Sequence, residues 1–180
     1  DAHSLPKIAR EYNKMQLENI SFKEFAMALK NEKGRKIVTN YGLDPKLGKY
    51  HRTYCEVCNR NIPGDAPVTK CDTCDSRNIT MGVYDRIEII KDKKETVSPD
   101  FRPPYIYQIP LTFIPGLGNK TIEKLLGAFD TEMNILHKLS YDDIEAVVGS
   151  KIADNIVAAR EGKMNITAGG GGVYGKITKE

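Results

Sequence analysis

Apolar positions recur at helical spacing in several stretches of the chain. Phe22, Phe25 and Leu29 fall on one helical face. Ahead of them, Ser21-Phe22-Lys23-Glu24 has the capping-box form, in which the serine hydroxyl and the glutamate carboxylate satisfy free amides at a helix start. With Gly34 as the stop, residues 1–34 read as helical, and Ser4-Leu5-Pro6 fits the start of an earlier short helix. Lys36 to Tyr41 is strand-like and Gly42 to Gly48 reads as a loop. Val83, Ile87 and Ile90 predict a helix over 81–91. Ile122, Leu125, Leu126 and Phe129 predict another, and two more follow from Ile144, Val147 and Val148 and from Ile152, Ile156 and Val157. The segment 92–104, with its Lys/Glu run and Arg102-Pro103-Pro104, reads as a linker. Residues 163–180, glycine-rich from Gly169 to Gly172, read as a mobile tail.

Composition narrows the class. The 180 residues suffice for one ordinary domain or two to three small ones. No apolar run approaches the roughly 18 residues of a spanning helix, so no membrane contact is expected. Asp-Ala-His-Ser-Leu-Pro lacks the order of a signal peptide, and with no initiator methionine the chain reads as processed or a fragment, with the cytoplasm as its expected location. The formal charge of +3 says little about partners. Its distribution says more: Lys33, Arg35, Lys36, Lys46, Lys49 and Arg52 face only Asp44 within residues 33–52, whereas residues 100–165 are slightly acidic.

The strongest chemical signal is Cys55-x2-Cys58 and Cys71-x2-Cys74, twelve residues apart. A two-residue spacer lets both sulfurs of a knuckle reach one tetrahedral ion at about 2.3 Å, and two knuckles close the shell. The reading is a structural zinc ion in a zinc-ribbon-like module over 49–91; the alternatives are two disulfides, which a cytosolic setting disfavours, or unrelated core cysteines. Bound zinc turns four neutral thiols into thiolates around one divalent cation and brings the formal charge from +3 to +1. His51 is either an outer-shell group or a surface histidine.

Ile114-Pro115-Gly116-Leu117-Gly118-Asn119-Lys120-Thr121 precedes an apolar-periodic stretch. With a short helix near Ile109 to Phe113, this gives helix, Gly-apolar-Gly turn, helix. Glycines allow a sharp turn and close approach of bare amides, and the start of a helix favours an anion. This is the arrangement of helix-hairpin-helix DNA-binding motifs, with Gly116, Leu117, Gly118, Lys120 and Thr121 on a backbone phosphate; the other reading is a packing turn. Tyr141 to Val148, Gly149 and Lys151 to Arg160 form a weaker second copy within 105–162, with one glycine in its turn. Lys46, Lys49, Tyr50 and Arg52 lie in a basic, tyrosine-bearing segment. Such a segment suits phosphates and unpaired bases, or else forms a solvated strand with core tyrosines.

Taken in order, Asp1-Ala2-His3-Ser4, Gly42-Leu43-Asp44-Pro45-Lys46-Leu47-Gly48-Lys49-Tyr50-His51, the cysteines, Gly82-Val83 with Asp85-Arg86, and Arg102-Pro103-Pro104-Tyr105 to Gly118 resemble the C-terminal part of endonuclease Q, a DNA-repair nuclease family. The resemblance implies a polymerase-and-histidinol-phosphatase (PHP) nuclease domain, a zinc module and a helical DNA-binding region. It implies cleavage 5′ to a deaminated base or an abasic site. Residues 1–48 would be the remnant of the nuclease domain, with Asp1 and His3 matching its last metal-ligand motif. With only His3, His51 and His137 in the chain, that pair is idle here, and catalytic divalent metals belong to the complete parent enzyme. The expectation is an α+β fragment: a zinc module plus an all-helical tandem helix-hairpin-helix region. Its partners would be DNA and the missing nuclease domain, in cis or in trans. Rival classes are a hydrolase subunit completed by another chain and a zinc-stabilised protein-interaction adaptor.

Overall fold

The computed structural model describes residue 8 and residues 10–178. Asp1, His3 and the short helix expected at Ser4-Leu5-Pro6 lie outside them. In chain order the elements are β1 (Tyr12–Gln16), α1 (Phe22–Leu29), β2 (Lys36–Leu43), β3 (Tyr54–Cys55), β4 (Arg60–Asn61), β5 (Ile79–Thr80), α2 (Val83–Ile90), β6 (Tyr105–Gln108), α3 (Asn119–Phe129), α4 (Glu132–His137), α5 (Tyr141–Val148), α6 (Ser150–Arg160), β7 (Asn165–Thr167) and β8 (Lys176–Thr178). Short 3-10 turns occupy Pro45–Leu47 and Leu111–Phe113. The chain is therefore mixed α+β, and none of its described helices is long and apolar enough to cross a membrane.

Two compact units form, and neither is continuous in sequence. One comprises residues up to 43 together with 96–108; the other comprises 44–95 together with 109 onward. In the first, β1 pairs antiparallel with β2, and β6 joins the far edge of β2 in parallel. The second half of the linker expected over 92–104 thus leads into a strand, and the Pro104 carbonyl accepts from the Asn40 amide at 2.9 Å.

The all-helical reading of 1–34 is corrected at β1. Tyr12 stacks on Tyr41 with ring centroids 4.5 Å apart and planes 5° from parallel, so a cross-strand aromatic pair overrides the local helical pattern. The helix starts at Phe22, where the Ser21 hydroxyl accepts from the Glu24 amide at 3.3 Å. The reciprocal half of the box is absent. The Glu24 carboxylate is buried and accepts instead from the Glu18 amide at 2.9 Å and from Arg35 Nε at 2.9 Å. The expected apolar face is likewise turned outward: Phe22 and Leu29 are exposed, while Glu24, Met27 and Ala28 are buried.

In the second unit, β3 is the centre of a three-stranded sheet between β4 and β5. Ile62, Val68 and Ile79 pack around Cys55 and Cys71. Helices α3 to α6 enclose Leu125, Ile135, Leu136, Ile144, Ala153 and Ile156, with Leu111, Ile114 and Leu117 also buried ahead of α3. Ser140 and Asp143 form a complete capping box at the start of α5.

The stretch expected to be a mobile tail is structured. β7 and β8 pair antiparallel, and the glycine-rich turn between them is laced to residues 46–61. Gly169 N donates to the Lys46 carbonyl at 2.8 Å, Arg52 N to the Gly169 carbonyl at 2.9 Å, Gly172 N to the Lys49 carbonyl at 3.1 Å and Gly175 N to the Leu47 carbonyl at 3.0 Å. A Cβ on Gly169 would sit 2.3 Å from the Gly48 carbonyl oxygen. Glycine here permits two backbones to touch, and its abundance does not mean disorder.

Arg35 holds the Glu24 carboxyl below its ordinary value of 4.5. A depressed carboxyl stabilises the folded state above its unfolded pKa, and that contribution is lost as pH falls through the folded value. Glu24→Gln should therefore lower the melting temperature at neutral pH and flatten its decline below the ordinary glutamate range. Thermal melts across an acid series read both effects; parallel melting curves for parent and variant would contradict the role of this pair.

Candidate metal centre and nucleic-acid interface

Cys55 ends β3, Cys58 follows on the turn into β4, and Cys71 and Cys74 flank a second turn ahead of β5. All four are free thiols, and their sulfurs lie within 4.8 Å of one another. Cys55 and Cys74 sulfurs are 3.7 Å apart, Cys58 and Cys71 sulfurs 3.8 Å apart. A tetrahedron of sulfurs about 2.3 Å from a central ion has edges of about 3.8 Å. A disulfide would need about 2.05 Å, so the pairing alternative does not describe this arrangement. The Cys58 amide points back to the Cys55 sulfur at 3.3 Å, the local geometry of a knuckle.

The titration of the cluster shows the same constraint. Hydrogen bonding with Cys74 and burial push the Cys58 thiol up to about 12, while the backbone amides of Cys74 and Thr73 bring Cys71 down to about 7. Neighbouring sulfurs thus compete for protons, and a divalent cation would let four thiolates share this space. The donor set fits a soft, tetrahedral metal such as zinc. Arg60 and Asp72 pair at 2.5 Å across the two knuckles, and Arg60 holds the Asp72 carboxyl below its ordinary value. His51 is not among these ligands; its ring stacks on Tyr84 at 5.5 Å, and burial lowers its pKa.

Sequence reasoning missed the carboxylate that fastens this module to α2. Asp85 is fully buried. It accepts from Thr53 N at 3.1 Å, Thr53 Oγ1 at 2.9 Å and Val68 N at 2.9 Å, with Arg52 Nε at 3.5 Å. Thr53 Oγ1 in turn accepts from the Gly82 amide at 2.9 Å. The apolar positions of α2 that set its helical signal, Val83, Ile87 and Ile90, are exposed.

The basic segment divides under this geometry. Arg52 is committed inward: besides Asp85 it donates to the Gly64 carbonyl at 2.8 Å, and its guanidinium lies 5.7 Å from the centre of the Tyr84 ring. Lys46, Lys49 and Tyr50 are exposed. Lys49 Nζ stands 4.7 Å over the ring of Tyr174, which also packs edge-on against Phe113 at 5.7 Å.

At the hairpin, Gly116 has φ +84 and Gly118 is the N-cap of α3 with no side-chain cap. Thr121 and Ile122 spend their amides on the Gly118 carbonyl at 3.0 and 3.1 Å. The amides of Asn119 and Lys120 have no acceptor within the helix, and both residues are exposed. Leu117 is buried and pins the turn. The two glycines differ: a Cβ on Gly116 would meet Ile152 Cδ1 at 3.2 Å, while one on Gly118 meets nothing within 4 Å. The second hairpin runs α5, Gly149 at φ +83, α6. Lys120, Thr121 and Lys124 share a shallow depression with Val147, Val148 and Ile152, and Lys124 donates to the Val147 carbonyl. A second residue missed in the sequence is Asn155 of α6, buried, whose amide donates to the Pro115 carbonyl at 2.8 Å.

No family model matches the chain. It is 50% identical over 177 residues to YqxK of Bacillus subtilis, an uncharacterized protein, covering 98% of this chain and 45% of that protein. It is 37% identical to the uncharacterized MJ0043 of Methanocaldococcus jannaschii, covering 99% of this chain and 24% of that protein. The chain thus spans less than half the length of these relatives. The crystal structure of the lesion-specific endonuclease PfuEndoQ from Pyrococcus furiosus superimposes with a TM-score of 0.76 at 35% identity, covering 94% of this chain and 44% of that one. Endonuclease Q in complex with a 27-mer duplex carrying an abasic lesion at the active site superimposes with a TM-score of 0.77 at 35% identity, covering 95% and 46%. The likeness supports a relation to endonuclease Q and to DNA-repair nucleases.

The contrast between the hairpin glycines is measurable. Gly116→Ala should cost about 1–2 kcal/mol, because its left-handed backbone disfavours a Cβ. Gly118→Ala should cost less, about 0.5–1 kcal/mol, because its backbone suits any residue and the space is open, and the loss is only that of a poorer N-cap. Denaturant melts of both variants check the order; equal losses would contradict the assigned turn.

Proposed function

We propose that this chain is the DNA-gripping and damage-presenting part of a PHP-family endonuclease that cuts 5′ to deaminated bases or abasic sites, and that alone it does not cut. The observation that carries the reading is the match to endonuclease Q along nearly the whole chain, one match being to a complex with lesion-bearing duplex DNA. The hairpin supports it locally: uncapped amides at the start of α3, an open approach over Gly118 and the exposed Lys120 suit a backbone phosphate. Tyr50, Lys46 and Lys49 are a second contact surface, with the exposed ring for an unpaired base. Arg52 serves this surface by holding Asp85 and the Gly64 carbonyl.

Cys55, Cys58, Cys71 and Cys74 hold one structural zinc ion. When bound, zinc supplies folding free energy to a module with a small apolar core, and its closed shell leaves no position for water. The partner in cis or in trans is the nuclease domain. The exposed Ile20, Phe22 and Leu29 beside and along α1 offer it an apolar face. Asp1 and His3 are idle in this chain and belong to the metal site of the complete enzyme.

The zinc assignment predicts one zinc per chain by elemental analysis. Cys71→Ser or exhaustive chelation should unfold the segment 50–80, seen as lost amide protection there. A zinc-free chain with unchanged protection would remove the assignment.

Binding to duplex and single-stranded oligonucleotides over a salt series tests the grip. Gly118→Val should fold and lose most of its affinity, because the branched side chain fills the approach to the amides. Lys120→Ala should lose less and reduce the slope of log affinity against log salt by about 0.7–0.9, one phosphate contact. Lesion-bearing DNA should stay intact with Mg²⁺, Mn²⁺ or Zn²⁺. Cleavage that disappears in His3→Ala would overturn the non-catalytic reading, and a Gly118→Val chain that binds like the parent would remove the phosphate role.

A further inference from the structure

We propose that Asn155 is a positioning residue for DNA binding, and that the second helical hairpin serves to buttress the turn of the first. The inference rests on the reading of the Gly116–Lys120 turn as a phosphate site and assigns its geometry to a residue forty positions away.

The turn has little to hold it from within. Gly116 sits at φ +84, Gly118 carries no side chain, and no side chain caps α3. Two local anchors are visible: Leu117 is buried beneath the turn, and its amide donates to the Ile114 carbonyl at 3.2 Å. The third anchor comes from α6. Asn155 is only 3% exposed, and its Nδ2 donates to the Pro115 carbonyl at 2.8 Å. That carbonyl belongs to the peptide that leads into Gly116, so fixing it fixes the plane about which the left-handed turn is made. Ile152, one turn earlier on α6, fills the space beside Gly116, its Cδ1 standing 3.2 Å from where a Cβ would be. The amide and the methyl together hold the glycine from the side of α6, and α3 starts three residues later.

The hydrogen bond is also directional. A carbonyl gripped by a buried amide leaves few orientations for the peptide that follows, and losing that donor frees the peptide plane. Loss of the donor should let the turn sample other conformations, and phosphate binding then has to select the competent one. This gives the second hairpin a use that needs no phosphate contact of its own. Its turn residue Gly149 faces open space, and its helix α6 supplies the two side chains that support the first.

A double-mutant cycle in the full chain separates positioning from simple destabilisation. Parent, Asn155→Ala, Gly118→Val and the double variant are titrated with a duplex oligonucleotide by fluorescence anisotropy, with circular dichroism and metal content confirming folding. Asn155→Ala should weaken binding by roughly tenfold, the scale of one lost part-buried hydrogen bond. It should cost nothing more in the Gly118→Val background, because both act through one contact and such effects do not add. If Asn155→Ala melts at the assay temperature, Asn155→Gln carries the same cycle, keeping the donor while displacing the carbonyl by one methylene. Binding within twofold of the parent overturns the proposal, and so do losses that simply add. A parent chain that binds no DNA removes the phosphate reading itself, which is a different outcome from a parent that binds alongside variants that bind equally well.

Discussion

A carboxylate with no solvent contact is the constraint around which the four-cysteine module is built. Asp85 must find partners for the lone pairs it takes out of water, and it finds them on two separate segments: Arg52 and Thr53 leading into β3, and Val68 between the knuckles. Removing one of its donors, such as the Thr53 hydroxyl, typically costs about 1–3 kcal/mol, because a buried acceptor is left short of a partner. The arrangement also explains Gly82. A Cβ there would lie 2.2 Å from the Arg52 carbonyl carbon, so α2 can deliver Asp85 only if its N-cap has no side chain. The apolar contribution around Cys55 and Cys71 is small by comparison, coming from Ile62, Val68 and Ile79.

Much of the local structure could be read from spacing alone. The cysteine pairs fall into one cluster, β2 lies where its β-branched run lies, and α2, α3, α5 and α6 follow their apolar periods. Periodicity finds a helix but does not say which face is inside. In α2 the buried residue is Asp85 while Val83, Ile87 and Ile90 face outward; in α1 it is Glu24 that turns in while Phe22 turns out. A charged residue is ordinarily assigned to solvent, and its burial becomes legible only when Arg35 or Thr53 is known to be opposite. β1 fails for a related reason, since its partner β2 begins twenty residues after β1 ends, and the Tyr12–Tyr41 stack that fixes the strand is a tertiary contact.

The candidate site shows the same division. Glycines, a cation and a helix start gave the hairpin its signature, because the turn chemistry is local. What local chemistry could not reveal was support from elsewhere. Asn155 looks like an ordinary polar residue in a helix whose apolar face is weak, and only the fold brings its amide to the Pro115 carbonyl. Arg52 shows the other side: its neighbours suggest a phosphate ligand, and the fold ties its guanidinium to Asp85 and the Gly64 carbonyl.

The glycine turn between β7 and β8 has a consequence for the order in which the molecule can be made. Asn61 donates to the Ala168 carbonyl across 107 positions of sequence, and Lys46 and Leu47 accept from glycines still further along the chain. During synthesis the cysteines and α2 emerge early, but the wall against Tyr54 is supplied only after helices α3 to α6 have left the ribosome. Contacts of such long separation close late. Until then the backbone groups of Lys49 and Arg52 and the Tyr54 ring stay open to water and to other chains, so this unit's most vulnerable moment in the cell lies between the emergence of its cysteines and that of its glycines.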